Sequence, residues 1–238
     1  MMDGSNSFGD AATNEQKIRN LNLNFGNYLF LMEDPLYLSA YLESIKIAGV
    51  STFIALLIGY PMAYLIARSP TNQRNILLML VVLPFWTSFL LRVYAWIGFL
   101  KANGIINNFL LSLGIIDEPL IMLQTDFAVY VGIVYSYLPF MILPLYSAIE
   151  KLDNTYIEAA KDLGANKLQT ITKVILPLTM PGIIGGCLLV LLPALGMFYI
   201  SDLLGGAKNL LIGNVIKSQV LNARDWPFGA ATSIALTF

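Results

Sequence analysis

The sequence predicts an all-α membrane protein. Of its 238 residues, 57% are apolar and only 12% are charged, whereas an average soluble domain carries about 25% charged residues. Four apolar stretches are long enough to cross the roughly 30 Å of membrane hydrocarbon, which takes about 20 helical residues. Helices are expected because a segment in lipid must satisfy its backbone hydrogen bonds internally.

Four complete spans and the start of a fifth are predicted. The complete spans are 47–67, 76–100, 127–149 and 174–201. The fifth begins at Phe228 and stops at Phe238, after about half the length that a span needs. We therefore expect residues 1–38 to be an N-terminal segment without a span and 39–238 to be the transmembrane domain.

Basic residues predict the orientation, because cytoplasmic loops are enriched in Lys and Arg. Arg68 and Arg74 flank the loop after the first span, and the loop 150–173 holds Lys151, Lys161, Lys167 and Lys173. These two loops are predicted to be cytoplasmic. The N-terminal segment, 101–126 and 202–227 are then predicted to face outward.

Proline recurs inside the predicted spans, where each ring removes a backbone donor and clashes with the preceding turn. The residues are Pro61, Pro84, Pro139, Pro144, Pro181 and Pro193. One interpretation is that kinked helices line a path whose shape changes. The other is that proline is simply commoner in membrane helices.

The segment 152–177 is predicted to form two short helices joined at a glycine. Thr155 with Glu158, and Asn166 with Gln169, have the spacing of capping boxes at helix starts. Gly164 is placed to end the first helix in the left-handed conformation that glycine favours. Two capped helices in a cytoplasmic loop are suited to docking into a groove of a partner, or form an ordinary amphipathic connector.

An apolar face is predicted on the first of these helices from three-to-four spacing. It consists of Tyr156, Ile157, Ala160 and Leu163. Lys161 and Asp162 are expected to point elsewhere.

The same segment resembles the EAA signature of permease subunits of ATP-binding-cassette (ABC) importers. Glu158, Ala159 and Ala160 are followed after three residues by Gly164, and after nine more by the run from Val174 to Pro177. Only Val174 departs from the I-x-L-P element that ends the signature. The resemblance implies a coupling helix that inserts into a cleft of a separate ATPase subunit, with Ala159 and Ala160 allowing close approach.

Within that family, several segments resemble the first permease subunit of bacterial spermidine/putrescine importers. They include LPFWTSFLLRVYAWIGFL, LPLYSAIEKLD, MFYISDLLGGAKNLLIGNVI and RDWPFGAATS. The resemblance implies a multi-pass subunit of the bacterial inner membrane, in a permease bundle that usually has six spans. It also implies a polyamine substrate, a second permease subunit and an extracytoplasmic solute-binding protein as partners, with no cofactor and no metal.

Candidate substrate contacts follow from polyamine chemistry, because ammonium groups bind carboxylates and aromatic faces. Asp202, after Phe198 and Tyr199, is the first candidate, and Trp86 and Tyr135 offer further ring faces. Each also has a structural interpretation. An acid at a span end can lie in the solvated headgroup zone, and Trp and Tyr form belts at membrane interfaces. Arg92, inside the second span, would repel a polycation and is assigned a helix-pairing or gating role.

Other functional classes meet obstacles in the sequence. No GxxxxGK[ST] phosphate loop is present, so we expect the ATPase activity to reside in another chain rather than here. A secondary transporter would need no capped helices between spans, and no acid lies well inside a predicted span to couple protons or sodium. An intramembrane enzyme lacks histidine. The net charge of −1 gives no basic surface for nucleic acid. A permease for another small solute is the main alternative.

Overall fold

The computed structural model describes residues 35–206, 211–222, 229–230 and 232–234 of the chain, and the regular elements of this part are all helical. Three short π-helical turns, at Ile171–Ile175, Ser201–Gly205 and Ser218–Asn222, interrupt or extend the α-helices. A 3-10 turn covers Leu83–Trp86. The α-helices, in chain order, are α1 Pro35–Arg68, α2 Thr71–Val82, α3 Phe89–Leu100, α4 Ile105–Ser112, α5 Asp126–Glu150, α6 Asn154–Asp162, α7 Lys167–Thr170, α8 Leu176–Leu178, α9 Met180–Gly196 and α10 Ile212–Lys217.

Three long helices form the core, because α1 and α9 both pack on α5 and on each other. At the end of the bundle next to α6, the buried side chains include Ala63, Ile66, Met141, Leu145 and Ile149. The opposite end has a second cluster, which includes Ile47, Val93, Leu100, Ile133, Ile200 and Leu204. The second cluster joins α1, α3, α5 and the turn after α9, so both ends of the bundle are held by apolar packing.

Small residues bring the core helices into close contact, as in many membrane bundles. A Cβ on Gly182 of α9 would lie 2.4 Å from Ala148 Cβ on α5, so no larger residue fits there without movement. Met141 of α5 lies between two other glycines: its Cγ is 3.0 Å from the position of a Cβ on Gly59, and its Sδ is 2.9 Å from that on Gly186.

The first helix is longer than the predicted span, because α1 starts at Pro35 rather than at 47. Its 34 residues extend about 51 Å, well beyond the roughly 30 Å of hydrocarbon. The added turns carry the exposed pair Lys46 and Glu43, whose Nζ and Oε2 are 3.5 Å apart. The predicted boundary between 38 and 39 therefore lies inside a continuous helix.

The second predicted span, 76–100, is not one helix. The chain leaves α-helical geometry between Val82 and Phe89. The 3-10 turn begins at Leu83, and Pro84, its second residue, supplies no backbone donor. Thr87 then takes an extended conformation, and its hydroxyl donates to the Pro84 carbonyl at 2.7 Å. A local side-chain hydrogen bond of this kind competes with the helix.

The fourth predicted span, 174–201, is bent, in agreement with the kinks that its prolines predict, and its helix ends before residue 201. A bend of 68° at Thr179 separates Lys167–Leu178 from α9, which ends at Gly196 where Met197 becomes extended. Pro177 and Pro181 flank the bend, and the Thr179 hydroxyl donates to the Ile175 carbonyl at 2.9 Å. By contrast, Pro61, Pro139, Pro144 and Pro193 lie inside uninterrupted helices.

Length and composition identify three helical stretches that could cross a membrane in the described part of the chain: Leu36–Arg68, Phe89–Ser112 and Asp126–Glu150. The bent pair Lys167–Leu178 and Met180–Gly196 makes a fourth if it is counted as one crossing. The predicted fifth span starts at Phe228, and only 229–230 and 232–234 of it are among the described residues.

Candidate functional site

The predicted docking loop, residues 150–173, begins with α6, and the residue that caps the start of this helix is not the predicted one. Asp153, not Thr155, caps α6: its Oδ1 accepts from the Thr155 backbone N–H at 3.0 Å and from the Thr155 hydroxyl at 2.8 Å. These two hydrogen bonds hold the pKa of Asp153 below its usual value, because they favour the ionised carboxylate. The predicted box from Thr155 to Glu158 is therefore wrong, since an aspartate two residues earlier takes the capping position.

The second predicted capping box is confirmed. The Asn166 side chain accepts from the Gln169 backbone N–H at 2.8 Å, and the Gln169 side chain accepts from the Asn166 N–H at 2.9 Å. Both free donors at the start of α7 are thus satisfied, as the pattern requires.

Gly164 ends α6 as predicted, with φ at +81°. Its N–H donates to the Lys161 carbonyl at 2.9 Å, and the Ala165 N–H donates to the Ala160 carbonyl at 3.0 Å. This is the paired hydrogen-bond pattern of the Schellman motif. The glycine therefore reverses the chain between α6 and α7.

The predicted apolar face of α6 divides in the structure. Ala160 is 8% exposed and points inward, whereas Leu163 is 89% exposed and Tyr156 is 55% exposed. Glu158 and Ala159 are exposed beside them. Ala160 is therefore packed within its own chain rather than presented to a partner, and the outward apolar groups are Tyr156 and Leu163.

Two arginines connect this loop to the long helices. Arg68, the last residue of α1, donates to the Asn154 side chain at the start of α6. Arg74, near the start of α2, donates to Glu150 at the end of α5 with a distance of 2.5 Å between Nη1 and Oε1. These contacts attach the start of the docking loop to α1 and α2. The sequence showed both arginines only as markers of orientation.

Pro177 lies apart from Gly164, in α8 next to the bend at Thr179. Tyr60 of α1 reaches the same bend, with its hydroxyl 3.1 Å from the Thr179 hydroxyl. The spacing of the signature thus places Pro177 where the docking loop meets the bundle. Glu158 and Ala159 lie on α6, and Gly164 follows its last turn.

The second candidate site is at the other end of the bundle, around Asp202. Its backbone N–H donates to the Phe198 carbonyl at 2.9 Å, so both residues lie on one helical turn. The rings of Phe198 and Tyr199 have centroids 4.2 Å apart. Lys217 forms a salt bridge with the Asp202 carboxylate and places its Nζ 5.3 Å from the centroid of the Phe198 ring.

Lys217 is the residue of this site that the sequence reasoning missed. It comes from α10, 15 positions beyond Asp202, and the sequence placed it only within the outward-facing segment 202–227.

The other aromatic candidates lie elsewhere. Trp86 ends the 3-10 turn and is 89% exposed. Tyr135, midway along α5, packs edge-on against Trp96 with ring centroids 5.4 Å apart. The five predicted substrate residues therefore divide into one cluster, formed by Asp202, Phe198 and Tyr199, and two residues outside it.

Arg92 lies against aromatic rings, with its guanidinium carbon 5.4 Å from the Phe85 centroid and 5.7 Å from that of Phe89. Cation–π contacts of this kind stabilise a charge in apolar surroundings. Among the described residues, its Nε and Nη1 have no hydrogen-bond partner. The same part of the chain contains no group of three or more His, Cys, Asp or Glu side chains that could hold a metal ion.

Comparison with known proteins gives one family match and several similar relatives. The family model described as "Binding-protein-dependent transport system inner membrane component" matches residues 40–238. The chain is 58% identical over 211 residues to the spermidine/putrescine transport system permease protein PotB of Escherichia coli strain K12, covering 89% of this chain and 76% of that protein. It is 55% identical over 235 residues to PotB of Haemophilus influenzae strain Rd, covering 99% and 78%.

Among solved structures, the chain is similar to a bacterial ABC transporter involved in the import of the acidic polysaccharide alginate. The TM-score is 0.68 at 18% identity, over 97% of this chain and 84% of that one. A second crystal structure shows an alginate ABC transporter in complex with an alginate pentasaccharide-bound periplasmic protein, with a TM-score of 0.67 at 20% identity, over 88% and 76% of the two chains. At these identities the likeness establishes the fold, an all-helical ABC-transporter permease.

Proposed function

Since the chain belongs to the family of binding-protein-dependent transport system inner membrane components, we propose that it is a transmembrane permease subunit of an ABC importer for the polyamines spermidine and putrescine. The observation that carries this function is the identity of 55–58% with PotB proteins across most of the chain. The subunit is a permease of the inner membrane and not an enzyme, and ATP is hydrolysed by a partner.

Four crossings and the start of a fifth are proposed, in a family that usually has six. The first is α1, the third is α5, and the fourth is the bent stretch from α7 to α9. The second is proposed to consist of α2 and α3 joined by the turn at Leu83–Trp86, rather than of the stretch Phe89–Ser112, in which residues 101–104 separate α3 from α4. Support comes from its two ends: Arg74 pairs with Glu150 beside α6, whereas Leu100 is buried at the opposite end with Ile47. Two helices of 12 residues reach about 36 Å, enough for one crossing.

The loop 150–173 is proposed to face the cytoplasm, with α6 docked on the ATPase. Tyr156 and Leu163 provide exposed apolar area, and Glu158 and Ala159 lie beside them. An amphipathic helix with exposed apolar groups is the form that docks in a partner's groove. The link from Arg68 to Asn154 then transmits movement of α6 to α1.

The remaining partners are a second permease subunit, an extracytoplasmic solute-binding protein and the lipid membrane. In the alginate transporter, a periplasmic protein binds the assembled complex. The transmembrane domain of this proposal begins with α1 at Pro35 rather than at residue 39, and the segment before α1 is proposed to lie on the outer side.

The substrate contact is proposed at Asp202, Phe198 and Tyr199, with Trp86 and Tyr135 as further contacts along the path. The carboxylate and the two rings suit an ammonium group. The contacts of the Lys217 ammonium with Asp202 and the Phe198 ring support this proposal. A charge-assisted hydrogen bond to a partly desolvated carboxylate is worth about 1.5–3 kcal/mol, which is tenfold or more in affinity.

Uptake by the importer reconstituted in liposomes, with its ATPase, both permeases and the binding protein, tests this function. The native importer should accumulate spermidine and putrescine, and Asp202→Asn should lower uptake at least about tenfold while the ATPase stays bound. Glu43→Gln is the matched control, because it removes a carboxylate from an exposed pair at the same end. Uptake of another solute class alone would disprove the polyamine function, and unchanged uptake by Asp202→Asn would remove Asp202 from the path.

A further inference from the structure

We propose that the groove between α1, α2 and α5 binds an anionic phospholipid, with an acyl chain along the groove and the phosphate at the arginines where α1 ends and α2 begins. This inference goes beyond the transport function and rests on the proposed orientation, which places that end of the bundle at the cytoplasm. The groove has a volume of about 500 Å³. Its lining is apolar or aromatic and includes Met62, Leu65, Leu77, Leu80, Leu138 and Ile142.

The helix α2 is poorly covered by its own chain, which leaves the groove open. None of its residues, all of which lie in the described part of the chain, is buried. Leu65 on one wall is 66% exposed and Leu80 on another is 56% exposed. Walls without a partner atom lose dispersion contacts. Hydrocarbon that enters the groove contacts three helices at once, and therefore binds better there than on a flat helix surface.

The size of the groove favours an acyl chain over a helix. From Leu77 to Pro84 the groove follows α2 for about 10 Å, over which a helix 10–12 Å wide occupies about 800 Å³ or more. The groove offers about 500 Å³. A helix can therefore cover the groove but cannot lie within it, whereas a single extended hydrocarbon chain can.

Two arginines lie one helical turn from the groove, at its cytoplasmic end. Arg68 ends α1 and follows Leu65 by three positions, and Arg74 precedes Leu77 on α2 by three. Residues with this spacing are neighbours on a helix surface. Basic groups between membrane helices on the cytoplasmic side attract anionic headgroups. The charge therefore lies where the phosphate of a lipid in the groove would be.

The charge of Arg68 is not balanced by a carboxylate. Arg74 pairs with Glu150, whereas Arg68 forms no salt bridge with any acid of the described residues. Its contact is with the neutral side chain of Asn154, and its Nε and Nη2 are shielded from water without a hydrogen-bond partner in the same part of the chain. Such donors are costly. A phosphate supplies both the negative charge and the acceptor oxygens that they lack.

A photoreactive phospholipid tests the site in the assembled importer. The probe is phosphatidylglycerol with a diazirine in one acyl chain; light releases N₂ and the carbene inserts into the nearest bond. Phosphatidylcholine with the same chains is the comparison, because its headgroup has no net charge. Mass spectrometry should find the probe on groove peptides of α1, α2 and α5, with half-maximal labelling at an about fivefold lower concentration of phosphatidylglycerol. Glycerol phosphate, which has no acyl chain, should not compete.

Two pairs of variants separate the chain from the headgroup. Leu80→Trp fills the groove and should reduce labelling by both probes, whereas Met79→Trp, on the same helix but outside the lining, should not. Arg68→Gln should raise the half-maximal concentration of phosphatidylglycerol about fivefold and leave that of phosphatidylcholine unchanged. Lys173→Gln removes an exposed charge of the docking loop and should change neither. Leu80→Trp alters no contact of the docking loop, so it remains informative if Arg68→Gln loosens that loop.

Three results would overturn this inference. Equal labelling by the two probes would show hydrocarbon contact without a headgroup site. Competition by glycerol phosphate would assign the arginines to a soluble anion. Labelling of other membrane-facing peptides but not of the groove would show that a helix of the second permease covers it. None of these results affects the polyamine function, whose own test is uptake; an importer with a labelled groove and no polyamine uptake would disprove that function alone.

Discussion

Gly164 permits a direct test of the docking loop, because its substitution mainly raises the free energy of the left-handed backbone conformation at this position. Its φ of +81° is strained for any residue with a side chain, yet nothing lies within 4 Å of the Cβ that a substitution would add. An added Cβ therefore meets no steric overlap within the chain. The main expected cost of Gly164→Val is the left-handed backbone conformation.

The magnitude follows from that conformation. An L-residue pays about 1–2 kcal/mol in the left-handed region, and a β-branched residue is a true outlier there. An effect of this size lowers the population of the capped loop about five- to thirtyfold. Asparagine tolerates the conformation better than other residues, so the loss should increase from Gly164→Asn through Gly164→Ala to Gly164→Val.

Copurification of the ATPase with the permease complex is the assay, with polyamine uptake measured on the same preparations. Gly114→Val is the matched control: Gly114 has φ at +67° after α4, and a Cβ there also meets nothing within 4 Å. It imposes the same backbone strain at the opposite end of the bundle. We expect Gly164→Val to lose ATPase and uptake, and Gly114→Val to keep the ATPase.

Two results would refute this reasoning. A Gly164→Val complex with native ATPase content and uptake would show that the Schellman cap does not matter for coupling. If Gly164→Asn were as damaging as Gly164→Val, the glycine would be needed for close approach of the partner rather than for its φ angle.

Two further predictions concern packing and topology. Gly182→Val should lower the thermal unfolding midpoint of the purified complex by several degrees, because the added Cβ would overlap Ala148. Gly185→Ala is the control: its Cβ meets nothing within 4 Å, so the midpoint should stay unchanged or rise. Equal effects of the two variants would contradict the close contact of α9 with α5. In a Cys187→Ala background, cysteine at Asn166 should react with a membrane-impermeant maleimide only from the cytoplasmic side, and cysteine at Asn103 only from outside. The reverse labelling would overturn the proposed orientation.

The docking loop was largely predictable because its signals are local. The Asn166 box and the Gly164 turn depend on residues within a few positions, so spacing identified them correctly. The Thr155 cap failed for an equally local reason, since Asp153 offers a better acceptor two residues earlier. Which side of α6 faces the bundle was not predictable, because that depends on contact with α1 and the turn after α7.

The spans were predicted from hydropathy, which identifies segments apolar enough to lie in lipid. It does not show whether such a segment forms one continuous helix. Apolar sequence runs unbroken through Leu83–Trp86 and through Gly196, yet both places leave the α-helix. Conversely, the polar residues Glu43 and Lys46 lie within α1 although hydropathy excluded them. The pair between Lys217 and Asp202 depends on how α10 folds back onto α1 and α9, which no local pattern records.

The position of Met141 has a mechanical consequence for a bundle whose helices must shift during transport. A thioether chain with three rotatable bonds changes rotamer easily and fills irregular spaces, and Gly59 and Gly186 on either side have no side chain that must move aside. We therefore expect α1 and α9 to be able to shift relative to α5 while the Met141 side chain keeps the space between them filled. Isoleucine at the same position would nearly keep the side-chain volume. Its β-branched side chain is confined mainly to one rotamer in a helix, so it could not adjust to a shift of α1 or α9.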